Sequence, residues 1–168
     1  MEIFSDNVTI LHTKHLKSPE SYKTIRETCR GIIVKEGKIL LSHEIVDDMW
    51  LIPGGGVENG ESLEECCKRE IAEEMGFIVR PKRRFAVINM YFDESKMINH
   101  FFECEIESSC ERRLLDYEIE IGLTPEWVEL DEAKKFFSDY EKYEESDKER
   151  AVIFNREFLA LEEYGRLL

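Results

Sequence analysis

The sequence lacks a net positive charge, a regular cysteine pattern and any long hydrophobic run. Its 168 residues include 23 basic and 37 acidic side chains, which give a formal net charge of −14. This balance argues against a broad basic surface for nucleic acid, although a nucleotide whose phosphates arrive with metal ions stays compatible with it. Five cysteines without a CxxC motif or regular spacing argue against a disulfide framework and against a zinc site.

The chain also lacks the features of an exported or membrane protein. No apolar run approaches the length of a membrane span, and the N-terminus has neither the basic start nor the apolar core of a signal peptide. We therefore expect a cytoplasmic protein with no membrane partner. Since we find no repeat and no linker, we predict a single domain over 1–168, with an N-terminal extension or hairpin in 1–28 and C-terminal helices in 131–168.

The most informative stretch is residues 50–77, WLIPGGGVENGESLEECCKREIAEEMGF. Pro53 and the three glycines after it end a strand-like segment, and they free the backbone to turn sharply or to approach a ligand closely. Ser62 and Glu65 match the capping-box pattern. A helix should therefore begin at Ser62 and end near Gly76, a residue that suits a helix C-terminus.

Three carboxylates gather on one face of that predicted helix. Glu70, Glu73 and Glu74 are spaced i, i+3 and i+4, and side chains at this spacing are neighbours on a helix. Like charges so close repel one another, and a hard divalent cation with oxygen ligands would compensate them. The alternative is a solvated acidic face, which is the commoner meaning of an isolated EIAEE run.

The residues around these glutamates decide between the two interpretations. From Gly55 to Phe77 the chain has the pattern G-x5-E-x7-R-E-I-x-E-E-x-G-F. This pattern resembles the signature of the Nudix (MutT-like) hydrolases at every defined position, over 23 of the 168 residues. The resemblance implies an α/β fold, the Nudix α/β/α sandwich with a mixed β-sheet, in which the Nudix box at 55–77 forms a loop–helix–loop.

The resemblance also implies a reaction and its metal. Nudix hydrolases cleave a diphosphate linkage in a nucleoside diphosphate joined to another moiety, by attack of water on phosphorus, and they use Mg²⁺, for which Mn²⁺ can substitute. Glu70, Glu73 and Glu74 would be the metal ligands, with the backbone carbonyl of Gly55 as a fourth. Arg69 and Glu61 would orient those carboxylates.

The general base stays open between two kinds of residue. In some Nudix hydrolases it is the box glutamate that corresponds to Glu70. In others it comes from a loop outside the box, and the loop candidates in this chain are Glu118 and Glu120. The number of metal ions is open as well.

The candidate substrate-binding residues are Arg30, Trp50, Gly54 and Gly55. Arginine suits a terminal phosphate and tryptophan can stack on a base, although surface charges are often merely solvated and strand aromatics more often belong to the core. No feature selects one substrate among small nucleotide-type molecules. A Nudix-fold module that senses a nucleotide without cleaving it is the alternative function, and a homodimer could form through the N-terminal segment.

Strand and helix patterns outside the box complete the predicted sandwich. The predicted strands are 29–44 as a hairpin that turns at 35–38, then 49–52, 77–80, 85–92, 99–107 and 126–130. Residues 108–125 predict a long loop near the site, and Asp131 and Asp147 predict the N-caps of two C-terminal helices. In the N-terminal segment, Ile3-Phe4 and residues 8–11 could form a hairpin.

Overall fold

The computed structural model of the protein describes residues 7–14 and 21–168. In this part of the chain the strands are β1 Thr9–His12, β2 Thr24–Ile32, β3 Val34–Lys35, β4 Lys38–Glu44, β5 Met49–Leu51, β6 Gly54–Gly56, β7 Phe77–Phe92, β8 Ser95–Ser109 and β9 Leu123–Glu129. The helices are α1 Leu63–Met75, α2 Asp116–Glu120, α3 Leu130–Ser138 and α4 Lys148–Arg166, with a 3-10 helix at Asp139–Tyr143. No helix in the described residues is long and apolar enough to cross a membrane.

The strands form two sheets. In the first, the order is β1-β7-β8-β2-β6, with parallel pairs β1–β7 and β2–β8 and antiparallel pairs β7–β8 and β2–β6. In the second, β4 pairs antiparallel with β3, β5 and β9. The prediction of a mixed β-sheet is confirmed.

Helices cover both faces of the sheets because strand residues alternate between two cores. Ile39 and Leu41 pack in a core shared with Phe137 of α3 and Phe154 of α4. Leu40, between them, packs in a second core with Cys66, Cys67 and Ile71 of α1. Successive side chains of a strand point to opposite faces, so one apolar run supplies both layers. The predicted α/β/α sandwich is confirmed.

Local signals in the box set both ends of α1. The backbone N–H of Glu65 donates to Ser62 Oγ at 3.1 Å, and the N–H of Ser62 donates to Glu65 Oε2 at 2.9 Å. Gly76 ends the helix in the left-handed region, with a φ of 78°. The helix then packs closely on β2, since a Cβ at Gly31 would overlap the side chain of Ile71.

Two predicted strands are in fact one. The sequence pattern separates 77–80 from 85–92 at Pro81 and the basic residues after it, but β7 runs through the whole segment. A register irregularity between Pro81 and Arg83 accommodates the proline. The neighbouring strand supplies a partner for the basic charge, as Arg83 Nε donates to Glu103 Oε2 at 2.9 Å.

The predicted loop at 108–125 is wrong in its second half. It contains α2 and the first residues of β9. The N–H of Leu115 donates to Glu118 Oε2 at 2.8 Å, which closes the first turn of a helix too short to show a hydrophobic period.

Of the two N-caps predicted for the C-terminal helices, one is right and the other is wrong. Asp147 caps α4, since its Oδ1 accepts the N–H of Arg150 at 3.1 Å. Asp131 lies within the first turn of α3 and is not its cap, because that helix already begins at Leu130. Of the predicted N-terminal hairpin, Ile3-Phe4 lies outside the described residues, and β1 pairs in parallel with β7.

Candidate active site

A cavity of about 560 Å³ lies between the glycine turn, α1 and α2. We call it the glutamate cavity. The acidic and basic residues of its wall are Glu44, Glu58, Glu70, Glu73, Glu74, Glu118, Arg26, Arg30 and Arg69. With six glutamates against three arginines, phosphate groups would meet an excess of negative charge unless cations accompany them.

Two glutamates one helical turn apart line this cavity, Glu74 buried and Glu70 with 13% of its side chain exposed. Glu70 and Glu74 lie close enough for their carboxyl groups to affect each other's pKa. Burial, followed by the charges of Glu70 and Glu118, raises the pKa of Glu74 to about 9. Burial also raises the pKa of Glu70, against the opposing effect of Arg69. The protein by itself therefore does not balance the negative charge that these two carboxylates would carry.

The glycine turn approaches this pair more closely than a side chain would allow. A Cβ at Gly55 would lie 2.5 and 2.6 Å from the two carboxylate oxygens of Glu70. Gly54 has a φ of 155°, and a Cβ there would lie 2.7 Å from the Cα of Arg30. The turn therefore places peptide backbone directly against the Glu70 carboxylate.

Arg69 links the carboxylates at the edge of the cavity. Its Nε donates to Glu61 Oε1 at 2.6 Å, its Nη1 to Glu70 Oε1 at 2.9 Å, and its Nη2 to the carbonyl of Gly56 at 3.0 Å. The bond to Glu61 is the main reason that the pKa of Arg69 is raised, and it lowers the pKa of Glu61 in turn. Arg69 thus ties α1 to the glycine turn.

Glu73 does not join the buried pair. Its Oε2 accepts a hydrogen bond from Arg69 Nη1 at 3.3 Å, and 37% of its side chain is exposed. Over residues 7–14 and 21–168, no three His, Cys, Asp or Glu side chains have converged into a group that could hold a metal ion. The candidate donors, Glu70, Glu74 and the Gly55 carbonyl, would nevertheless all offer hard oxygen atoms, which is the chemistry that suits Mg²⁺.

Of the predicted substrate-binding residues, Arg30 lies in the wall of the glutamate cavity and Trp50 does not. Arg30 lines the glutamate cavity but is buried, with Nη1 donating to the carbonyl of Ile52 at 2.8 Å and Nε to Asn99 Oδ1 at 3.3 Å. Burial, and then the charge of Arg156, lowers the pKa of Arg30 to about 10. Trp50 lies outside the wall of this cavity, with its ring stacked on His43 at a centroid distance of 3.8 Å.

The two candidate general bases outside the box, Glu118 and Glu120, also differ in position. Glu118 is buried in the cavity wall, whereas Glu120 is exposed and lies outside it. Tyr117 and Leu115 line the same wall, and sequence reasoning did not find them because a five-residue helix has no periodic signal. Leu115 at the N-cap has no side-chain oxygen to accept a hydrogen bond, so the sequence has no capping-box pattern at the start of this helix.

Comparisons with known proteins agree with the fold and the box. The family described as "NUDIX domain" matches residues 26–153, and the chain therefore belongs to the Nudix hydrolase family. It is similar to the 8-oxo-dGTP diphosphatase of Buchnera aphidicola subsp. Schizaphis graminum (strain Sg), with 32% identity over 110 residues, 63% of this chain and 78% of that protein.

Two further similarities differ in how much they cover. A candidate ADP-ribose pyrophosphatase of Bacillus subtilis (strain 168) is 38% identical over 72 residues, which are 43% of this chain and 35% of that protein. This chain thus spans about a third of that relative's length. The solved structure of a Nudix hydrolase from Nitrosomonas europaea has a TM-score of 0.59 at 22% identity, over 82% of this chain and 90% of that one, and shows a shared fold.

Proposed function

We propose that this protein hydrolyses, with Mg²⁺, a diphosphate linkage in a nucleoside diphosphate joined to another moiety. The observation that carries the proposal is that the carboxyl groups of Glu70 and Glu74 line one cavity against the backbone of Gly55. Both pKa values are raised, because burial there disfavours ionisation without a counterion. The names of the two curated relatives denote cleavage of nucleotide-type diphosphates, which supports the same substrate class. We further propose that residues 1–168 act as a single Nudix domain.

Five residues of the cavity wall, and Glu61 next to it, have a role in this proposal. Glu70, Glu74 and the carbonyl of Gly55 would hold Mg²⁺, and Glu73 would join them after release from Arg69 or through water. When bound, the ion neutralises phosphate oxygens and lowers the pKa of a coordinated water. Arg69 and Glu61 orient the carboxylates, since the guanidinium holds Glu61 and Glu70 at once.

We propose Glu118 as the general base, in preference to Glu120. Its carboxylate lies in the cavity wall, near enough to Glu74 for their charges to interact. The N–H of Leu115 and the hydroxyl of Tyr117, at 2.8 and 3.3 Å, donate to it and so hold the carboxylate in place. A carboxylate fixed beside the metal-binding pair can accept a proton from an attacking water.

The test is release of phosphate or of a mononucleotide from a panel of nucleotides, with and without Mg²⁺ or Mn²⁺. The panel holds nucleoside triphosphates, ADP-ribose, nucleotide sugars, dinucleotides and dinucleoside polyphosphates. Metal-dependent turnover of any of them supports the proposal and narrows the substrate class. Tight nucleotide binding without turnover across the whole panel would instead favour a sensing module.

A further inference from the structure

One arginine in the wall of the glutamate cavity is not bonded to the rest of the protein. Arg26, on β2, is exposed and lines this cavity. Over residues 7–14 and 21–168, its side chain makes no hydrogen bond and no ion pair. The other two arginines of the wall are engaged. Arg69 is bonded to glutamates of the box, and Arg30 is buried and bonded to a backbone carbonyl and to Asn99.

The acidic residues around Arg26 leave its charge uncompensated. Of the six wall glutamates, three pair with Arg69, namely Glu58 at 3.7 Å, Glu70 at 2.9 Å and Glu73 at 3.3 Å. The other three form no ion pair with any residue that the structure describes. Glu27, the next residue of β2, pairs with His100 Nε2 at 3.0 Å. Because arginine stays charged at neutral pH, Arg26 offers a positive charge to whatever enters the cavity.

The glycine turn separates Arg26 from the proposed metal ligands. A Cβ at Gly55 would meet the carboxylate of Glu70, whereas a Cβ at Gly56 would lie 2.3 Å from Arg26 Nη2. Successive Cβ positions of a strand point to opposite faces, so Arg26 and Glu70 lie on opposite faces of β6. Both nevertheless line the same cavity. A substrate whose diphosphate is held at Glu70 would therefore meet Arg26 with a different group.

Charge and geometry favour a terminal phosphate as that group. A terminal phosphate carries a charge of about −1.5 to −2 at neutral pH, and its oxygens accept strong hydrogen bonds. The planar guanidinium of arginine can donate two parallel hydrogen bonds to such a group. A sugar or a second nucleoside at the same place would present uncharged hydroxyl groups, which bind a solvated arginine less strongly. In a wall with six glutamates, Arg26 is the residue beside which an additional negative charge is stabilised.

We propose that Arg26 binds a terminal phosphate beyond the diphosphate held by the metal, and so makes the protein prefer nucleoside triphosphates to nucleotides whose diphosphate ends in a sugar or a second nucleoside. This inference rests on the proposed function, because the metal-bound diphosphate fixes where the third phosphate lies. Arg26 then determines specificity and takes no part in the cleavage itself. We expect it to raise the affinity for a triphosphate about tenfold, as hydrogen bonds between charged groups do.

Two nucleotides that differ only in a third phosphate test the inference. Methylene bridges between the phosphorus atoms prevent cleavage, so diphosphate and triphosphate analogues of adenosine and of guanosine can be titrated by calorimetry in saturating Mg²⁺. The wild-type protein should bind the triphosphate member of a pair about tenfold more tightly or better. Equal affinities, tighter binding of the diphosphate member, or no binding of any analogue at millimolar concentration would overturn the inference.

Two variants locate the effect. Arg26→Met should bring the affinity ratio of the pair to about one or below, because the acidic wall then repels the third phosphate. It should leave the affinity for a methylene analogue of ADP-ribose unchanged. Lys23→Met is the matched control, since it removes the same charge from a residue that pairs with Glu94 at 2.8 Å outside the cavity wall. It should keep the wild-type ratio. A ratio that survives in Arg26→Met, or falls equally in both variants, would contradict the role of Arg26.

This test and the hydrolysis panel can fail independently, because the analogues bind without being cleaved. A triphosphate preference that depends on Arg26, found together with no turnover of any nucleotide in the panel, would support the inference and leave the protein a triphosphate-binding module. Metal-dependent turnover together with equal affinities for the two analogues would support the proposed function and overturn this inference alone.

Discussion

The backbone of Gly55 lies so close to the Glu70 carboxylate that a Cβ on Gly55 would come 2.5 Å from one carboxylate oxygen and 2.6 Å from the other. The two residues belong to different elements, β6 and α1. Contact at this range makes the glycine part of the site, since it sets where the carboxylate of Glu70 can lie.

Gly55→Ala should therefore reduce activity far more than stability. The carboxylate is the flexible end of its side chain and can swing away from the new methyl group, which would displace a proposed metal ligand but leave the core intact. We expect metal-dependent turnover to fall about 100-fold, as a small displacement in an active site can do. Gly165→Ala is the control, because a Cβ there would meet only Lys134 Nζ, at 3.7 Å. Equal turnover in the two variants would contradict the assignment.

Glu74→Gln should have opposite effects on metal-free stability and on activity. With a pKa of about 9, Glu74 is protonated in the folded metal-free protein at neutral pH but ionised in the unfolded chain, and this difference costs stability. Glutamine does not have that cost, so the melting temperature in EDTA should be at or above that of the wild type. Turnover should fall by about 100-fold or more, and Mg²⁺ should no longer raise the melting temperature. Glu64→Gln, on the same helix but outside the cavity wall, should behave as wild type. A Glu74→Gln variant with full turnover would exclude Glu74 as a ligand.

Arg69→Lys should weaken metal binding although it keeps the charge. An ammonium group cannot reproduce the guanidinium bonds to Glu61, Glu70 and the Gly56 carbonyl at once. Calorimetric titration with Mg²⁺ should give a dissociation constant about 10- to 100-fold higher than that of the wild type. The control is Lys68→Arg, an exposed neighbour on α1, which should leave the constant unchanged.

Glu118→Gln and Glu120→Gln should separate a general base from a solvated charge. Glu118 lies buried in the cavity wall, so its loss should lower kcat by about 10²- to 10⁴-fold. Glu120 is exposed and outside the wall, so its variant should keep kcat within about twofold. If Glu118→Gln also kept its kcat, the base would have to be sought elsewhere, first at Glu70.

Much of the fold follows from short-range patterns. The capping pair Ser62 and Glu65 and the left-handed Gly76 define α1 from residues within one turn of each end. Local patterns gave the wrong strand limits where residues distant in sequence stabilise the strand. In β7, a register irregularity accommodates Pro81 and an acidic residue of β8 pairs with Arg83, so the strand continues past the proline. Such partners leave no trace in the local sequence.

By itself, the sequence determined the family, the ends of α1 and the spacing of Glu70, Glu73 and Glu74 along one helix face, because helix geometry and capping act within a few residues. Only the tertiary structure decided which of these carboxylates are buried together. Glu74 and Glu118 line the same cavity, close enough for their charges to interact, while Glu73 accepts a hydrogen bond from Arg69 and is more exposed. Tertiary packing also placed Arg156 of α4 beside Arg30 of β2, with Asn99 between them. Burial and electrostatic interactions depend on distance in space, which chain order does not specify.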